Sequence, residues 1–368
     1  MNLPHRSHAD LADTPVPDAF DWRDTRPNAI TPPQQQGQCG SCWSFATTQS
    51  LADRYAIANN THAVVISNEY VRDCAWNALS ATYLSAGSAV QRYITPNTEY
   101  GMCTTGGFGE LGARFLEKYG APAASTYPYP NSASTGTESS LPLCETPRGT
   151  IWRASPNSTG SLCLDVDGRH DPVTSYIERP FGTVPNYPQH VIDANCLNIQ
   201  RDIMRYGPVY VSYICYSDQV SSSFHESDYT DGVYRRKHDA TSDGGHAVTI
   251  VGWGVTSAGT KYWIVRNSWG TEWNKSGASG AGYWRHLRGS NEGGIESAAI
   301  SILPAGTSAV ATAIPSSTKG TTARSDDESD KSLSSMQRFG IIGAIAAGGV
   351  LLLVLFIFAL TRTRRTSQ

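Results

Sequence analysis

The chain has 368 residues, 39% of them hydrophobic and 17% charged, with a formal net charge of −3 at pH 7. That length suits one catalytic-sized domain with further segments attached, and the near-neutral balance gives no electrostatic footprint for nucleic acid. There is no phosphate-cradling glycine loop and, outside Cys39-x-x-Cys42, no zinc spacing of His and Cys, so neither metal nor cofactor is expected.

Met1 to Pro15 is polar and has no apolar core, so it is not a signal peptide and reads as an N-terminal remnant outside the folded domain. The segment Gln36-Gly37-Gln38-Cys39-Gly40-Ser41-Cys42-Trp43 is the most informative stretch. Ser44 to Ala52 reads as a helix, which puts Cys42 at a helix N-terminus, where the macrodipole favours thiolate over thiol. The amide of Gln36 lies a short loop upstream and can donate to an oxygen that becomes negative when Cys42 attacks a carbonyl. A structural or redox Cys-x-x-Cys pair is the alternative, disfavoured by the flanking Gln36 and Trp43.

Asn68 to Asp73 and Gly109 to Tyr119 carry helical patterning. Residues 121–198 are rich in Pro, Ser and Gly and read as a variable insertion. Strand patterning takes over after Gly207-Pro208, beginning with Val209 to Cys215, where Cys215 reads as a buried free thiol. In Gly244 to Gly254, His246 enters an apolar, β-branched run that reads as a buried strand. Tyr262 to Gly270 is a second strand leading into a polar turn. There Asn267 can accept a hydrogen bond from one imidazole nitrogen, and Trp269 can cover that bond from water.

Beyond residue 303 the composition changes. Residues 304–338 are rich in Ser, Thr, Ala and Gly, with an acidic knot at Asp326 to Asp330, and read as a disordered stalk. Phe339 to Leu360 carries no charge and would span roughly 33 Å as a helix, enough for a transmembrane helix. Three arginines in residues 361–368 place that tail in the cytosol. Gly340, Ala344 and Gly348 form a small-residue stripe compatible with weak dimerisation of the span.

Cys-Gly-Ser-Cys-Trp, followed downstream by His and then Asn, resembles the papain-like cysteine peptidases, and within them the cathepsin B-like branch. The resemblance covers about Val16 to Leu303 and includes Phe20-Asp21-Trp22-Arg23, which is similar to the start of the mature enzymes. It implies an α+β, papain-like two-lobe fold, a helical lobe followed by a β-barrel-like lobe with the cleft between them. It implies Gln36 as oxyanion donor, Cys42 as nucleophile, His246 as general base, Asn267 as its orienting amide and Trp269 as their shield. Gly106 and Gly107 would pair with the substrate backbone. Phe108 and Ala247 would wall the pocket for the P2 side chain. Ala298 stands where cathepsin B has a glutamate, so that pocket is expected to be apolar. Disulfides Cys39–Cys103 and Cys74–Cys144 follow from the resemblance, and Cys163–Cys196, both within the insertion, is the natural third pair.

Three departures stand out, one being Cys103-Thr104-Thr105-Gly106-Gly107, which holds one residue more than the family's usual Cys-Asn-Gly-Gly. His246 follows Cys42 by about 200 residues, against the roughly 130–150 of the papain spacing. Cathepsin B also carries adjacent histidines that capture a substrate's C-terminal carboxylate, whereas this chain has only His170 beside Asp171. The expected activity is therefore that of a cysteine-type endopeptidase acting on protein or peptide substrates. A dipeptide-releasing exopeptidase and a catalytically inactive papain-fold binding protein are the alternatives. Disulfides and the sequons at Asn59, Asn157 and Asn274 point to an oxidising compartment and a glycoprotein. The expected placement is a single-pass type I membrane protein with its catalytic domain lumenal or extracellular. A signal peptide and propeptide are then expected upstream of the sequence as given.

Overall fold

The computed structural model describes residues 3–83, 103, 106–130, 144, 147, 149–167, 184, 186–220 and 223–305. The described residues all belong to the first of two compact units, Met1–Ser317. Residues 306–338 of the expected stalk, the span, the basic tail and the small-residue stripe, together with His170, lie outside the described residues, whereas Pro304 and Ala305 pair with Ala154 and Arg153. Among the described residues no helix is long and apolar enough to cross a membrane.

Five helices are described: α1 (Trp22–Thr25), α2 (Cys42–Asn59), α3 (Asn68–Tyr83), α4 (Gly109–Lys118) and α5 (Gln189–Tyr206). Seven strands form one antiparallel sheet: β1 (Phe20–Asp21), β2 (Gly160–Ser161), β3 (Val209–Tyr216), β4 (Ser242–Val255), β5 (Lys261–Arg266), β6 (Tyr283–Leu287) and β7 (Ala299–Ser301). Their order is β2-β7-β3-β4-β5-β6, with β1 pairing on β4. Gly252 permits that last pairing, since a Cβ there would sit 2.2 Å from the Phe20 carbonyl oxygen.

Successive side chains of a strand point to opposite faces. In β3, Tyr210 joins a core built mainly by α2, α3 and α4 around Leu51, Val71 and Phe115. Val209, Val211 and Tyr213 join a second core with Ile199 and Ile203 of α5 and the indoles of Trp253, Trp263 and Trp284. The helical first half and the strand-rich second half match the sequence pattern. The exception is α5, which the expected insertion had partly absorbed and which packs on the sheet.

Helix α2 is buried on nearly all sides. Its hydroxyl residues satisfy themselves on the preceding turn: Thr47 Oγ1 donates to Trp43 O at 2.9 Å and Thr48 Oγ1 to Ser44 O at 2.8 Å. Asn60, left-handed at φ 53°, closes the helix with its N–H on Ala56 O. Two buried ion pairs fix the helix laterally. Asp53 pairs with Arg266 of β5 at 2.8 Å, and Arg54 pairs with Asp202 of α5. Although burial opposes it, the Arg54 guanidinium and a hydrogen bond from His8 hold the Asp202 carboxyl below its ordinary range.

Several expectations are corrected. Residues 3–15 are not a loose remnant. Leu3 is buried in the helical core, Arg6 N–H donates to Ser161 O at 2.8 Å, and His8 Nε2 lies 2.8 Å from Asp202 Oδ2. A polar segment gains its place here by backbone pairing, which composition does not reveal. Residues 121–198 are not one insertion either, because they contain β2, the Ala121 to Trp152 bridge and the first half of α5. Cys39 is bonded to Cys103 and Cys74 to Cys144, but Cys163 and Cys196 are free and buried. The Cys163 sulfur instead accepts from Ala299 N–H at 3.4 Å, and the Cys196 thiol is hydrogen-bonded to the Glu296 carboxylate. Burial pushes the Cys163 thiol up to about 12, and burial together with Glu296 raises Cys196 well above its ordinary value. Asn274 is 2% exposed and cannot present a glycan acceptor. Its Nδ2 donates to Tyr283 O at 2.6 Å and its Oδ1 accepts from Glu226 N–H at 3.2 Å. Asn59 and Asn157 are exposed.

Candidate active site

Cys42 is the first residue of α2 and is half-buried. The backbone N–H groups of Ala247, Trp43 and Cys42 itself act on its sulfur in favour of the thiolate. The Ala247 contact brings the helix N-terminus against β4 at the residue next to His246. Strand register carries His246 opposite Tyr213, whose ring meets the imidazole edge-on at 5.9 Å.

His246 Nε2 lies 2.9 Å from Asn267 Oδ1, an oxygen that also accepts from Ser268 N–H at 2.8 Å. That oxygen only accepts, so Nε2 carries the proton and Nδ1 keeps the lone pair. The Trp269 indole stacks on the imidazole at 4.6 Å with an interplanar angle of 21°. Burial pushes the His246 imidazole down to about 4, against the raising effect of the Asn267 bond. Burial also pushes the Cys42 thiol up, against the lowering effect of the three backbone donors. Enclosure thus opposes an isolated thiolate and an isolated imidazolium. Each charge would need a nearby counter-ion to offset that cost.

Gln36 is held at three points. Its backbone N–H donates to Ser268 O at 2.8 Å, and its Oε1 accepts from Ser268 Oγ at 2.5 Å. Its Nε2 donates to Cys39 O at 2.7 Å, which leaves the second amide hydrogen for another acceptor. Gly106 and Gly107 flank the same stretch. A Cβ on Gly107 would lie 2.3 Å from the Trp43 indole, and Gly106 takes φ 68° beside Gly40.

Phe108 is half-buried in extended backbone just before α4, while Ala247 and Ala298 are buried. Ser212, which the sequence reading passed over, joins the two alanines. It is the register partner of Ala247, and its N–H donates to Ala298 O at 3.1 Å. Tyr210, two residues earlier on the same face, packs so closely on Gly109 that a Cβ there would sit 2.2 Å from its ring. The period of two in Val209 to Cys215 was the signal for both. Tyr129, within residues 121–198, also reaches the Gln36 loop, its hydroxyl donating to Gln36 O at 2.9 Å. No group of His, Cys, Asp or Glu that could hold a metal occurs among the described residues.

Residues 16–303 match the sequence profile of the papain family cysteine proteases. The chain belongs to this family. This papain-family protease is 32% identical to cathepsin B-like cysteine proteinase 5 of Caenorhabditis elegans, over 82% of this chain and 79% of that protein. It is 30% identical to cathepsin B-like CP3 of Giardia intestinalis, over 78% of this chain and 74% of that one. The solved structure of procathepsin B S9 from Trypanosoma congolense shares the fold, with a TM-score of 0.57, 24% identity and 83% of each chain covered.

Proposed function

We propose that this protease is an endopeptidase that cleaves peptide bonds through a Cys42 acyl-enzyme. The observation that supports the reading is Cys42 at the α2 N-terminus together with the His246 imidazole, oriented by Asn267 and roofed by Trp269, on the strand that carries Ala247. The thiol proton passes to His246 Nδ1 as the sulfur attacks the substrate carbonyl carbon. The oxygen, now negative, receives hydrogen bonds from the free Gln36 amide hydrogen and the Cys42 N–H. His246 then protonates the departing amine. Water enters, gives its proton to the same nitrogen and releases the acid product and the thiol.

Endopeptidase action is favoured because the chain lacks the adjacent histidines that would hold a substrate carboxylate at the end of the cleft. The Ala298 floor, with Ser212 and Tyr210 beside it, gives the P2 side chain an apolar pocket without a carboxylate. An arginine there would be buried unpaired at a cost of several kcal/mol. An internally quenched peptide library should therefore be cut internally, with Leu, Val or Phe at P2 preferred over Arg by at least about 10-fold. Faster release of C-terminal dipeptides than internal cleavage, or equal rates for Arg and Leu at P2, would refute the respective half of this reading.

We further propose a type I placement, with the catalytic domain on the lumenal or outer face of a membrane and Phe339 to Leu360 as the anchor. The two disulfides support an oxidising compartment. Given a signal peptide and translated into microsomes, the chain should gain glycans at Asn59 or Asn157 and resist carbonate extraction. Removal of residues 339–368 should release it as soluble enzyme. A full chain that stays unglycosylated and open to protease from the cytosolic side would sink this placement.

A further inference from the structure

We propose that Tyr129 is a positioning residue of the oxyanion hole, a single phenol that ties together the two ends of the loop carrying its donors. The proposal rests on the reading of Gln36 and Cys42 given above. Those donors belong to different segments, the Gln36 side chain before the loop and the Cys42 N–H at the start of α2. The loop between them contains Gly37, at φ 64°, and Gly40, so its backbone is intrinsically permissive. Tyr129 Oη donates to the Gln36 carbonyl at 2.9 Å and lies 2.8 Å from Ser41 Oγ. One consistent proton arrangement has Ser41 donating to the phenol and the phenol donating to Gln36.

The ring itself is fixed from two sides. It meets Phe45 of α2 edge-on at 4.8 Å and 69°, and the Arg72 guanidinium of α3 sits 5.8 Å from its centroid. The hydroxyl is therefore delivered by a side chain anchored to two helices rather than by the loop it holds. Burial also raises the phenol's pKa, which keeps it a donor through the neutral range. Ser268 and the Cys39 carbonyl fix the Gln36 side chain, and the backbone from which it projects is held at its N–H by Ser268 O and at its carbonyl by Tyr129.

Tyr129→Phe removes only the hydroxyl. Outright deletion of an oxyanion donor costs about 10²–10³ in kcat, so loosening the donors' spacing should cost less, about 10-fold. We expect kcat to fall about 10-fold with KM unchanged. A peptide aldehyde, whose adduct with Cys42 carries the same oxygen, should bind about 10-fold more weakly. The pH profile of Cys42 alkylation by iodoacetamide, which forms no such oxygen, should not move. Ser41→Ala, which severs one of the two contacts, should act in the same direction and serves if the phenylalanine variant folds poorly. In a Gln36→Ala background, Tyr129→Phe should add little. Wild-type kcat and aldehyde affinity in both single variants would overturn the proposal, as would an alkylation profile that shifts in step with kcat. If Gln36→Ala itself left turnover intact, the underlying site reading would fall instead.

Discussion

Cys42→Ala is expected to lower peptide hydrolysis by about 10⁶-fold while leaving the fold intact. The substitution removes the only group in the site that can form the acyl-enzyme, and a methyl group fills most of the thiol's half-buried space. His246→Ala should cost nearly as much. The double variant should be scarcely worse than either single one, because nucleophile and base act as a unit. The check is turnover of a quenched peptide, together with labelling by an epoxide active-site probe and a thermal melt of each variant. Alanine at Cys42 with activity within 100-fold of the parent, in a preparation free of other proteases, would remove Cys42 from its proposed role.

The second large effect is on stability. Asp202→Ala should destabilise the protein by about 3–5 kcal/mol, because it leaves the Arg54 guanidinium buried without a counter-charge. Arg54 and Asp202 are both fully buried, and His8 Nε2 and Ser301 Oγ each lie 2.8 Å from Asp202 Oδ2. For a domain of this size the thermal midpoint should drop by roughly 10 °C at a fixed scan rate. Replacing both charges with Arg54→Met and Asp202→Leu should recover much of the loss, since two well-packed apolar groups need no partner. A shift under 1 kcal/mol in Asp202→Ala would show that the pair contributes little. The sign of the pH dependence follows from the depressed carboxyl. Its stabilisation is present above the ordinary carboxylate range and is lost as the pH falls through the lower folded-state value. Asp202→Ala should therefore flatten the acid limb of the stability curve.

What the sequence made legible depended on how locally each feature is determined. The helix beginning at Cys42 needs only its own residues and start, and the structure begins α2 there. The His246 strand and the Asn267 turn are short, strongly patterned segments, and pairing of β4 with β5 brings them to 2.9 Å. Tyr129 was illegible because its role depends on a loop from residues 36–41 returning to it. The packing of residues 3–15 was hidden for the same reason, since their partners Ser161, Asn198 and Asp202 lie far along the chain. Cys163 and Cys196 look like a pair when counted, yet Ala299 N–H and the Glu296 carboxylate engage their sulfurs separately. Asn274 satisfies the glycosylation triplet, but only tertiary structure shows its amide spent on Tyr283 and Glu226.

The core beneath α2, α3 and α4 is closed by Leu3 at one extreme of the domain and by Ile300 and Ile302 at the other. During synthesis Leu3 and the three helices are made early, yet Ile300 and Ile302, which complete their core, arrive late. Until then the nascent chain holds an apolar face open, the situation in which chaperones act and aggregation begins. The helical half is consequently not an excisable module. Contacts so distant in sequence also make closure slow relative to helix formation, which takes microseconds or less.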